Sequence, residues 1–171
     1  MASLITGMNP TAPIRTEAEA EAAAKASAIS IFIGVIVAAV SIGWSLANPA
    51  AMQDALASAA GSDVNAEAAA IGAQVAIYAS GGLAFLQLIL GIVQWRNPGK
   101  FMAILFLVLL AYGILSAAAT PLLAGSIPKM PVIPIWQIAL SLVIMVVQVV
   151  LHIAGLRGIN KLDKLQMDSA R

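Results

Sequence analysis

Cysteine is absent from this 171-residue chain. Its absence excludes disulfides, thiolate metal sites, iron–sulfur clusters and cysteine nucleophiles. Histidine occurs once, as His152, which excludes bis-histidine haem ligation and multi-histidine metal cages. Charge is also scarce. Asp, Glu, Lys and Arg make up 10% of the residues, against about 25% in an ordinary soluble domain. With a net charge of +1, no basic face large enough for nucleic acid can be built. What fills the sequence instead is apolar: 61% hydrophobic residues and a mean hydropathy of +0.95. A water-soluble globule of this size could not cover its surface with so few charges, so the excess apolar surface must face lipid.

A helix needs about 20 apolar residues to cross a hydrocarbon core of roughly 30 Å. Four stretches meet this requirement, at about 28–47, 71–95, 101–123 and 133–156, and none contains Asp, Glu, Lys or Arg. A single such residue near a helix centre would cost roughly 2.5–3.5 kcal/mol on insertion scales. The first stretch follows Glu17, Glu19 and Glu21 rather than a basic start, so it reads as a retained helix and not as a cleaved signal. The expected architecture is an all-α, polytopic, antiparallel four-transmembrane-helix bundle over 27–156. A tail at 1–26 with a short helix and an amphipathic tail at 157–171 flank it.

Positive charge marks the cytoplasmic side. Arg15, Lys25, Arg96, Lys100, Arg157, Lys161, Lys164 and Arg171 all fall on one side of a four-span scheme, and only Lys129 falls on the other. This places both termini in the cytoplasm, with Arg96, Lys100, Arg157, Lys161 and Lys164 as interfacial cations. Trp44 and Trp136 then lie near the outer boundary and Trp95 near the inner one, where indoles anchor. The alanine-rich composition and short loops point to a bacterial inner membrane.

Outside the spans, residues 1–15 read as an irregular tail. Thr16 to Glu19 fits a capping box, followed by an alanine run in which Glu21 and Lys25 pair at i, i+4. Pro49 to Ala60 reads as a short helix, and Pro121, Pro128, Pro131 and Pro134 as a stiff turn. After the last span, Leu156, Ile159, Leu162 and Leu165 alternate with basic residues. This pattern is that of a short amphipathic helix at an anionic leaflet.

Helices in lipid associate through close packing and partnered polar groups. Ser30, Gly34 and Ala38 in span one, Gly72, Ala76 and Ala79 in span two, and Gly113 and Ala117 in span three form the expected packing faces. The short turn at residues 96–100 is expected to hold spans two and three side by side. Intramembrane polar residues are the best pointers to function. Gln87 and Gln94 share one face of span two, while Gln137, Gln148 and His152 form a stripe on span four. Either these line a polar seam between spans two and four, or the glutamines serve as interhelical glue.

No nucleophile–base pattern, phosphate loop or ligand cluster appears, so no catalytic, cofactor-binding or metal residue is assigned and an enzyme is not expected. The leading expectation is a small non-catalytic accessory or scaffold subunit whose partners are membrane lipids and other membrane subunits or further copies of itself. The alternative is a passive channel or carrier for a small neutral or hydrophobic solute, lined by the glutamines. The polypeptide is expected to need detergent to stay dissolved, and tags at its two ends to react only with reagents that reach the cytoplasm. A chain that stays soluble without detergent, or ends labelled from outside, would overturn the scheme.

Overall fold

The computed structural model describes residues 3–60, 66–123 and 134–170, and every regular element among them is helical. In chain order these are α1 (Leu4–Met8), α2 (Glu17–Ala24), α3 (Ala26–Ala47), α4 (Pro49–Ala60), α5 (Ala66–Arg96), α6 (Lys100–Leu123) and α7 (Ile135–Ser169). Four helical stretches are long and apolar enough to cross a bilayer: α2 with α3, then α5, α6 and α7. Pro128, Lys129 and Pro131 of the expected stiff turn lie outside the described residues. Pro121, expected to stop a helix, lies inside the last turn of α6. Proline withdraws one backbone donor, and so close to the helix end the ladder tolerates its loss.

Local chemistry explains where the first long helix begins. Thr16 Oγ1 accepts from the Glu19 backbone N–H at 3.3 Å, and Glu19 Oε2 accepts from the N–H groups of Arg15 at 2.7 Å and Thr16 at 3.1 Å. This is the expected capping box, and it satisfies donors that a helix start otherwise leaves orphaned. The Arg15 N–H, with that of Thr16, holds the Glu19 carboxyl below the usual carboxylate range. Lys25 joins α2 to α3; its Nζ lies 2.7 Å from Glu21 Oε1 and 5.5 Å from the centre of the Trp95 ring.

The long helices pack pairwise. α3 packs against both α5 and α7, and α6 packs against α7. α5 and α6 do not pack along each other, so the expectation that their short turn makes spans two and three neighbours is corrected. A tight turn constrains only the two helix ends it joins, and the packing chemistry lies elsewhere. On α5, a β-carbon at Gly91 would come within 2.8 Å of the Phe32 ring and 3.2 Å of Ile31 on α3. Near the middle of α6, Gly113 lets Met145 Sδ of α7 approach to 3.1 Å of the same virtual position.

The tightest packing is at the end of the molecule that carries both chain termini. Ala20, Ala23, Ala24, Ala26 and Ser27 are buried there, as are Ala154, Gly155, Gly158 and Ile159 of α7. A β-carbon at Gly155 would lie 2.8 Å from the backbone nitrogen of Ser27, and one at Gly158 would lie 2.6 Å from the carbonyl carbon of Ala23. Two expectations are corrected here. Residues 4–8 form a helix rather than an irregular tail, and α1 packs on α2 and α7 because Gly7 lets it reach the backbone of Ala22 and Ala23. The segment after span four does not begin a separate surface helix, since α7 runs unbroken to Ser169. Ile159 is buried against Ala24 and Ala103, with Leu156 packed alongside. Lys100 pairs with Asp163 at 2.7 Å, and the Arg157 guanidinium donates to the carbonyl of Pro10.

Replacing Gly158 by leucine forces a side chain into the α2 backbone, and overpacking of this kind costs about 1–3 kcal/mol. Gly158→Leu should therefore lower the thermal midpoint in detergent. Gly81→Leu, whose β-carbon meets nothing within 4 Å, should leave it near wild type.

Candidate functional site

In an apolar surround, an amide side chain must find partners or bear a desolvation cost of several kcal/mol. α3 supplies those partners. Gln87 of α5 donates through Nε2 to the Ile31 carbonyl at 3.3 Å. Gln148 of α7 donates to the Ser30 carbonyl at 2.9 Å, and Ser30 Oγ donates back to the Gln148 carbonyl at 3.0 Å. The two glutamines arrive from opposite sides and meet over Gly34. A β-carbon there would collide with Gln87 Nε2 and lie 3.2 Å from Gln148 Nε2. Only a residue without a side chain fits between them.

Gln94 has a different task. Its Nε2 donates to Ser27 Oγ at 2.7 Å and to the Gly99 carbonyl at 3.2 Å, while its Oε1 accepts from the Gly99 N–H at 3.0 Å. Ser27 Oγ in turn donates to the Ala24 carbonyl at 3.0 Å. Gln94 thus ties the α5–α6 turn to the α2–α3 junction, and it is fully buried in doing so. Gln137 joins none of this; it is exposed in the first turn of α7.

Gln87 of α5 and Gln148 of α7 therefore converge over Gly34 of α3. Beside this junction, where α5 and α6 diverge, lies a cleft of about 250 Å³. Ser30, Gly34, Gln87 and Gln148 line its polar side, and Phe106, Leu109, Leu110 and Met145 its apolar side. His152 lines it as well, 1% exposed. The imidazole lies parallel to the Phe106 ring, with centroids 6.0 Å apart and planes within 8°. Its Nδ1 is buried without a hydrogen-bond partner among the described residues.

The expected packing faces are placed unevenly. Ser30, Gly34 and Gly113 sit at helix contacts. Ala38 lines a smaller cleft of about 180 Å³ with Ser41, Ser45, Met52, Ile77 and Ser80. Gly72, Ala76 and Ala117 are half-buried, and Ala79 is exposed. The tightest contact, between Gly155 and Gly158 and the alanines of α2, was not among them. Its signal was present: Ala154 and Gly158 repeat at four residues, as do Ala23 and Ser27, the small-residue spacing of close helix pairs. Of the basic residues, Lys100 and Arg157 are tied to Asp163 and Pro10, Arg96 and Lys164 are exposed, and Lys161 is partly covered.

No family model, curated protein or solved structure matches the chain.

Gln148→Leu deletes the bond to the Ser30 carbonyl and should weaken thermal stability by roughly 0.6–2 kcal/mol, the range for interhelical polar contacts. Gln137→Leu should have no measurable effect. Equal effects from the two substitutions in thermal unfolding would show that the junction over Gly34 does not hold the helices together.

Proposed function

We propose that this chain is a non-catalytic integral membrane protein that serves as an accessory or scaffold subunit, packing with further copies of itself or with a larger membrane complex. On this reading the four long helices cross a bacterial inner membrane in an antiparallel arrangement. The terminus-bearing end, with Lys25, Lys100, Arg157, Lys161 and Lys164, faces the cytoplasm, as the distribution of positive charge favours. The observation that carries the proposal is the use to which the intramembrane amides are put. Gln87, Gln94 and Gln148 all donate to groups of α3, which is the behaviour of interhelical glue.

The outer helices support the same reading. The apolar stretches of α5 and α6 are only 6% buried, against 28% for α2–α3 and α7. Long faces of α5 and α6 are thus uncovered, free to meet lipid or other helices. Association there would proceed by van der Waals packing.

Mass measurement after mild detergent extraction from native membranes tests the proposal. The expected result is a homo-oligomer or a complex with a co-purifying membrane protein, and a lone monomer would count against it. Vesicle assays separate it from the channel alternative. Gln148→Leu should leave the flux of small neutral solutes unchanged, whereas flux that requires Gln148 would favour a passive channel or carrier.

A further inference from the structure

The glue role leaves one group unaccounted for. His152 is 1% exposed, lines the cleft between α5 and α6, and keeps Nδ1 without a partner among the described residues. A buried polar atom left unsatisfied costs on the order of 1–3 kcal/mol, and a ligand in the cleft that draws the imidazole round toward it would relieve that cost. We infer that this cleft binds the ring head group of an uncharged, membrane-dissolved quinone or quinol.

Three features select that chemistry. The first is charge: the lining contains no Lys, Arg, Asp or Glu, so phosphate and carboxylate head groups would find no counter-ion, whereas a neutral head group needs none. The second is the pattern of hydrogen-bonding groups. Gln148 and His152 are four residues apart on α7, and side chains at that spacing are separated by about 5–6 Å at their β-carbons. Two polar groups so placed suit oxygens on opposite edges of one ring. Among the described residues each amide of Gln87 and Gln148 makes a single side-chain hydrogen bond, through Nε2. Its Oε1 therefore stays available to a quinol hydroxyl, and its second N–H to a quinone carbonyl. The third is shape and size. Phe106, stacked parallel to His152, places an aromatic ring in the lining, and aromatic rings pair favourably with a planar ring. The volume of about 250 Å³ falls below the roughly 300–1,000 Å³ of sites that enclose drug-sized ligands. It accommodates a head group while the isoprenoid tail lies outside, between the diverging α5 and α6.

The test is a titration of the full-length chain in non-ionic detergent micelles with a short-tailed benzoquinone, read as saturable binding and as a rise in thermal midpoint. Wild type should bind at one site per chain. His152→Phe keeps the stack with Phe106 and removes the ring nitrogens, and it should weaken binding at least tenfold. Leu109→Trp fills the mouth of the cleft without touching a polar group and should abolish binding, which provides a second variant should His152→Phe fail to fold. Gln137→Leu should bind as wild type does. The inference is overturned if folded wild type shows no saturable binding, or if Leu109→Trp binds unchanged. Crosslinks from Phe106 or Leu109 to a helix of another chain in native membranes would also overturn it, because the cleft would then be a protein interface. Neither the oligomeric state nor the vesicle flux enters this measurement, so its failure leaves the scaffold proposal standing.

Discussion

The fold depends on the carbonyl groups along one side of α3. In hydrocarbon, helices gain nothing from hiding apolar surface from one another, so their arrangement is decided by close contact and by polar groups that need partners. The Ser30 and Ile31 carbonyls accept from amides that arrive on α7 and α5 respectively. Each carbonyl has a second lone pair beyond its own helical bond, so the helix accepts these amides without giving up its ladder. α3 is central for this reason, and α6, which donates nothing to it, is the outlier held through α7 and the turn.

Small residues make that chemistry geometrically available. Gly34 opens the gap in which two amides converge, and Gly155 and Gly158 bring α7 into backbone contact with Ser27 and α2. The two devices act at different depths. One uses hydrogen bonds in the first half of α3, and the other uses dispersion between surfaces that carry almost no side chain. Dispersion contributes little per atom pair but accumulates over such flat contacts.

Much of this architecture is legible in the sequence, and the part that is not has a definite physical cause. Span positions follow from uncharged runs of sufficient length. The capping box and the Glu21–Lys25 pair follow from spacing, because both are local. Gln87 and Gln148 stand out as polar residues in apolar segments, but periodicity reports only which residues share a face, never which neighbour that face meets. Their common partner on α3 was therefore hidden, and so was the separation of α5 from α6. The burial of α2 against the end of α7 was hidden for the same reason. Alanine is both a good helix former and a good contact residue, so the four-residue spacing of small residues in α2 and α7 marks a contact face without showing which neighbour it meets. His152 was visible as the lone imidazole, but the loss of partners at Nδ1 is a tertiary fact.

The unbroken length of α7 has a mechanical consequence. Thirty-five residues at 1.5 Å each make a rod of about 52 Å, which exceeds a hydrocarbon layer of roughly 30 Å by more than 20 Å. The surplus is not a loose appendage, since α2 grips it through Ala23 and Ala24 and Lys100 moors it through Asp163. Were the four helices to cross a bilayer as proposed, this surplus would stand in the water beyond the lipid, and the alanine–glycine contact would tie its tilt to that of α2.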